Sequence, residues 1–271
     1  MKIEKFKSII KYNEHNAEEN LVCVRLIYEY MGMNHEAEAL NLLEIVRTTL
    51  RKKGYLLIEM PFSDKEIGAI CYKGNGRGYV VLNSSLPKVN VNFALCHELY
   101  HIFFQKRPMK HAIELYMNDH YFDDEEELAA NAFAGNLLMP ASNFKKMYYK
   151  FSKECSKQDF EIEIIAKLMN YYEAPYMAVV IRCYGLKLLG GGEKLKRLLD
   201  SEEVDIRKEF TKLWLNEKIL EPTMRDDFDK FESLVRNTGK EMEREEIISG
   251  KEVETALQNM RKIYKEIKGE A

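Results

Sequence analysis

Val91-Asn-Phe-Ala-Leu-Cys-His-Glu-Leu-Tyr-His-Ile-Phe-Phe-Gln105 decides how the rest of the chain is read. Phe93, Ala94, Leu95, Cys96, Leu99, Ile102, Phe103 and Phe104 are apolar or weakly polar, as expected of a helix buried on most sides. The few polar residues, His97, Glu98, His101 and Gln105, fall on one stripe. His97 and His101 are four residues apart, so both imidazoles lie on one face, one turn apart, and can reach a single ion. Glu98 points slightly around the helix, where it can reach a water on that ion. This is the physical content of a His-Glu-x-x-His motif. A buried carboxylate without a partner is costly, and a metal cavity facing the polar stripe removes that cost.

A catalytic zinc site takes three protein ligands and keeps one position open. A third histidine at 107 is ruled out, because Phe104 and Arg107 stand where a metzincin needs Gly and His. The other common solution is a carboxylate from a second helix. Asp123-Asp-Glu-Glu-Glu-Leu-Ala-Ala-Asn-Ala-Phe-Ala-Gly-Asn-Leu-Leu-Met-Pro140 supplies several. Acids are favoured in a first helical turn by the dipole and by capping, and most of these five do no more than that. Glu127 lies deepest and shares a face with Ala130, Asn131 and Ala134. The small residues Ala129, Ala130, Ala132, Ala134 and Gly135 permit close approach to a neighbouring helix. Glu127 is the expected ligand, with Glu126 or Asp124 as the fallback. Asn131 is a candidate to orient Glu127 or a substrate group, or else an amide satisfied in the core.

These two motifs together resemble the ImmA/IrrE metallopeptidases. That family shares a His-Glu-x-x-His helix followed by E-x-x-A-N-x-F-A-x-x-L-L-M-P. Here the two read HELYH at 97–101 and ELAANAFAGNLLMP at 127–140, and the second matches at every fixed position. Val80-Val81-Leu82-Asn83 precedes the helix as the family's strand does, and 165–189 looks like its closing helix pair, so the resemblance covers roughly 34–190. Tyr100 departs from the family's small residue; a tyrosine there could narrow the cleft or change specificity, but removes no ligand. The resemblance implies one catalytic zinc ion on His97, His101 and Glu127, with Glu98 as catalytic base, the same assignment that spacing gives. It also implies a substrate class that nothing in the composition shows: helix-turn-helix transcriptional repressors of bacteria and their mobile elements. The competing expectation is a metal-binding regulatory protein that captures such a repressor with little or no cleavage.

Around this centre the chain reads as helices, a small sheet, then helices, an α+β order. The full expectation is a zincin-like core with a small, mostly antiparallel sheet packed on helices, plus helical additions at both ends. The expected divisions are a helical extension over 1–33, the peptidase domain over 34–190 and a helical region over 191–271. Asn34 to Lys53 reads as an amphipathic helix stopped by Gly54. Tyr55–Met60, Ile67–Tyr72 and Tyr79–Leu82 read as strands. Gly74-Asn-Gly-Arg-Gly78 is a hairpin turn and not a phosphate loop, since it leads into a strand and opens no helix. Asp159 caps a helix through Tyr171, Ala174-Pro175 breaks it, a further helix runs to Tyr184, and Gly190-Gly191-Gly192 is a hinge. The helix–Ala174-Pro175–helix outline resembles a DNA-binding motif, yet Tyr176–Tyr184 is mostly apolar with one arginine and reads as core.

With 271 residues, 46% hydrophobic and 31% charged, the chain can bury a substantial core. A net charge of −3 gives no global field for nucleic acid, so no direct nucleic-acid partner is expected. The five scattered cysteines form no Cys-x-x-Cys pair and read as reduced thiols. The start, Met1-Lys-Ile-Glu-Lys-Phe-Lys7, lacks an uninterrupted apolar stretch, and no run is long enough to span a bilayer. No membrane partner and a cytoplasmic location are therefore expected. His111, His120 and Tyr121 are candidate donors to an oxyanion, none of them selected over the others.

Overall fold

A computed structural model describes residues 1–33, 41–74, 77–105, 125–155, 160–200 and 204–270. Part of the expected first helix (34–40), the cap at Asp159, and His111, His120, Tyr121 and Asp124 lie outside the described residues. Helices α1 (Ile3–His15) and α2 (Ala17–Tyr30) precede α3 (Leu42–Lys52). Leu42, Val46, Thr49 and Leu50 form the buried stripe of α3. Gly54, at φ +89°, turns the chain out of that helix in a conformation side chains disfavour.

Strands β1 (Tyr55–Met60), β2 (Ala69–Gly74) and β3 (Arg77–Asn83) follow, in spatial order β1-β3-β2. β2 and β3 form the expected antiparallel hairpin, with Gly74 opposite Arg77. β1, however, lies parallel to β3. The sheet is thus mixed, not mostly antiparallel. The cause is the crossover between β1 and β2, which carries the chain past one end of the sheet and leaves the central place for β3. Asn83 fixes that crossover from within. Its Oδ1 accepts from the Phe62 and Ser85 backbone N–H groups at 3.1 and 3.0 Å, and its Nδ2 donates to the Asp64 and Ile67 carbonyls at 3.0 and 2.8 Å.

Both faces of the sheet are covered, and the alternation of side chains shows it. Tyr55, Ala69, Cys71, Val80 and Leu82 face the main core, built on α3 and on α4 (Lys88–Phe104). Ile58, Met60 and Val81 face a second cluster with Phe228 and Phe231 of α11 (Phe228–Arg244) and Met260, Tyr264 and Ile267 of α12 (Gly250–Lys268). In α11, Gly239 allows the hairpin to close: a Cβ there would stand 2.6 Å from Val253 Cγ1.

Between these lie α5 (Glu125–Leu138), α6 (Ala141–Ser152), α7 (Phe160–Tyr172), α8 (Tyr176–Gly185), α9 (Glu193–Leu199), α10 (Ile206–Lys212) and a 3-10 turn, Glu217–Leu220. Phe6, Tyr28, Phe133, Phe144, Phe210 and Ile219 all join one core cluster, so the N-terminal helices and the segment up to the 3-10 turn pack into the same interior as α4. The pair α7–α8 is core, as its apolar sequence predicts: Ile164, Ile165, Val179, Val180 and Cys183 are fully buried. None of the five cysteines forms a disulfide. Among the described residues, no helix is long and apolar enough to cross a membrane.

Candidate metal centre

α4 begins one turn earlier than the sequence suggests, because Pro87 starts it: the Asn90 and Val91 N–H groups donate to the Pro87 carbonyl at 2.9 and 3.2 Å. The backbone N–H of Lys88 is held by the Glu221 carbonyl at 3.1 Å. Leu95, Cys96 and Leu99 bury the back of the helix completely. That packing fixes the rotation of α4 and turns His97 and His101 toward α5.

α5 is positioned just as firmly. Phe133, Ala134 and Leu137 are fully buried. Asn20 of α2 donates to the Ala129 carbonyl at 3.2 Å, and the Tyr28 hydroxyl donates to the Leu137 carbonyl at 2.9 Å. At the far end, Arg182 Nε donates to the Met139 carbonyl at 2.9 Å while Nη1 bonds the Asn136 side chain. In the sequence Arg182 stands as a lone charge on an apolar helix. Such a charge, facing the end of another helix, is a signal that a carbonyl needs capping.

The two helices bring three of the expected ligands together. His97 Nε2 lies 3.1 Å from Glu127 Oε2, His101 Nε2 lies 3.2 Å from Glu127 Oε1, and the two Nε2 atoms are 3.0 Å apart. Among the described residues, His97, His101 and Glu127 are the set able to hold an ion, their ligand atoms all within 4.8 Å of one another. Glu126 is not part of it. The His101 side chain is 8% exposed, that of His97 13% and that of Glu127 35%, so the cluster opens to solvent on the α5 side.

The donors fit a divalent cation. A four-coordinate ion with bonds of about 2.0–2.1 Å needs ligand atoms roughly 3.3 Å apart, within a few tenths of an ångström of those present. His97 Nδ1 faces Asn131 Oδ1 at 3.1 Å; an amide oxygen only accepts, so Nδ1 carries the proton. Two imidazole nitrogens thus converge on one carboxylate, an arrangement that calls for positive charge, from a cation or from protons on the rings. The electrostatics agree. Burial raises the Glu127 carboxyl, but hydrogen bonds from His101 and His97, and their charges, outweigh it and hold the group well below its usual range. Burial disfavours the His97 imidazolium, yet the hydrogen bond and charge of Glu127, the charge of Glu98 and the Asn131 contact raise it overall.

Glu98 is 4% exposed, and its Oε2 is buried with no hydrogen-bond partner. Burial pushes its carboxyl up and the Glu127 charge adds to this, while His97 and His101 pull the other way. A carboxyl held above its ordinary range beside a candidate cation site is suited to exchanging a proton. Tyr100 packs edge-on to the His101 ring at 5.9 Å and against Phe104 and Phe133 at 5.7 and 5.6 Å, which places its ring in the α4–α5 junction.

Residues 50–184 match the model of the Peptidase_M78 family, described as the IrrE N-terminal-like domain. No curated protein and no solved structure matches the chain.

Proposed function

Residues 50–184 belong to the Peptidase_M78 family, and from that premise we propose that the chain is a zinc-dependent endopeptidase acting on a specific protein substrate. The observation that carries this reading is the convergence of His97 Nε2, His101 Nε2 and the Glu127 carboxylate, with the orphaned Glu98 carboxylate beside it. Two imidazoles, one carboxylate and no thiolate suit zinc, although the same donors also accept manganese or iron.

A divalent cation, when bound, acidifies water and polarises a carbonyl. The chain's own residues then do the following. His97, His101 and Glu127 fix the position of the charge. Glu98 accepts the proton of the attacking water and passes it to the nitrogen released when the C–N bond breaks. The substrate class we propose, a helix-turn-helix repressor of a bacterial or mobile-element regulon, rests on the ImmA/IrrE resemblance. It implies a cytoplasmic site of action.

Incubating the protein with repressors encoded near its gene, with and without a chelator, tests the proposal. Discrete fragments by mass spectrometry that vanish with chelator support it. Repressor captured intact under metal-loaded conditions overturns the peptidase reading in favour of a binding protein.

A further inference from the structure

We infer that the exposed face of α6 is a docking surface for the phosphate backbone of duplex DNA, bound without regard to sequence. The inference is independent of the metal site. Phe144, Met147 and Tyr148 are the buried stripe of α6, which fixes the direction of the opposite face. That face carries Ser142, Lys145, Lys146, Tyr149 and Lys150, all exposed, and Lys153 continues it at the C-terminal cap. The helix contains no acidic residue. Among the described residues, no ion pair joins Lys145, Lys150 or Lys153 to an acid. Glu154 and Glu161, the next acids of the described chain, are engaged elsewhere, by Lys167 at 3.6 Å and Lys194 at 2.6 Å.

This concentration of charge does not serve the helix. Lys146 and Lys150 are like charges one turn apart, an arrangement that destabilises a helix. The helix dipole rewards Lys150 and Lys153 near the C-terminus, but not Lys145 and Lys146 in the middle. A local rule broken with no gain to the fold points to a partner.

The chemistry of that partner follows from the face. Four ammonium groups along about 12 Å of helix give one charge per ~3–4 Å, close to the roughly 3.4 Å charge spacing along one strand of a duplex. Lysine, a point charge on a flexible stem, suits phosphates and reads no base. Tyr149, 56% exposed among the lysines, adds a hydroxyl able to donate to a phosphate oxygen. A lipid surface would need apolar side chains to insert, and this face offers none beyond that ring. The net charge of −3 weakens attraction at long range, but contact is decided within a Debye length of about 8–10 Å.

The test measures binding of the full chain to a fluorescent duplex of arbitrary sequence, by anisotropy, as salt is raised. Wild-type affinity is expected to fall roughly 40- to 150-fold between about 50 and 200 mM salt, the signature of three or four phosphate contacts. Lys145→Gln with Lys150→Gln is expected to bind more weakly at the lower salt and to fall by less than ~15-fold over the same range. Lys7→Gln with Lys11→Gln removes the same charge from exposed positions of α1 and is expected to behave as the wild type, as is His97→Ala. Circular dichroism reports folding in each case. Absence of binding at the lower salt overturns the inference. So does an equal loss in the α1 variant, or tighter binding to vesicles of anionic phospholipid or to polyglutamate than to the duplex.

Discussion

His97 and His101 approach Nε2 to Nε2 at 3.0 Å across one helical turn, with the two oxygens of Glu127 divided between them. Two ring nitrogens and a carboxylate held this close are stable only with positive charge among them. A cation bound there, or a proton on the rings, supplies that charge.

Zinc is expected to raise thermal stability. Free ion at one hundred times its dissociation constant contributes about 2.7 kcal/mol to the folded state, and at roughly 2–4 °C per kcal/mol this is a Tm rise of ~5–10 °C. His97→Ala should abolish the rise. Calorimetry with and without chelator checks it, and an identical rise in His97→Ala would contradict the assigned ligands.

Glu98→Gln should separate binding from turnover. The amide is nearly isosteric and touches no ligand position, so zinc content should stay at the wild-type level. Loss of the proton acceptor is expected to reduce turnover by about 10²- to 10⁴-fold or more. Metal analysis and fragment yield on the same preparation decide the matter. Undiminished cleavage would remove Glu98 from the mechanism.

Gly239→Ala should loosen the α11–α12 hairpin. The new methyl would stand 2.6 Å from Val253 Cγ1, and overpacking of this kind costs about 1–3 kcal/mol. Val253→Ala in the same chain should recover part of the loss. Urea denaturation of the single and double variants measures both effects.

Acid sensitivity is expected to run through Asp227. Burial raises its carboxyl, but hydrogen bonds from Arg225, Lys230 and the Glu59 backbone, with the Arg225 charge, outweigh this and lower it. A carboxylate lowered by folding adds stability that is fully present above its unfolded pKa, about 3.9, and is lost as pH falls through the folded value. Asp227→Asn should therefore destabilise the protein at neutral pH and matter much less in strong acid. Denaturation midpoints across that range would show the two curves converging; parallel curves would discount the residue.

The site was legible in sequence because its information is local. Four-residue spacing put His97 and His101 on one face, and a run of small residues after Glu127 marked the facing helix. Sheet polarity was not legible in the same way. The alternation in Tyr55–Met60 tells which residues share a face but not which neighbour the strand takes, and that choice rests on the Asn83 side chain holding a crossover many residues upstream. Helix α6 has its own local signal: Phe144, Met147, Tyr148 and Phe151 recur at helical spacing soon after Pro140. The amphipathic stripes of α11 and α12 announced that they cover something. Nothing in them named the outer face of the sheet.

That covering has a practical consequence for anyone trimming the chain. A fragment cut to the family-matched 50–184 would bare Ile58, Met60 and Val81 on one side and strip Phe6 and Tyr28 from the other. Such a fragment should aggregate on expression, whatever the state of its His97, His101 and Glu127 cluster. The catalytic signature and the smallest autonomous folding unit are therefore different stretches of this polypeptide, and soluble preparations need the flanking helices retained.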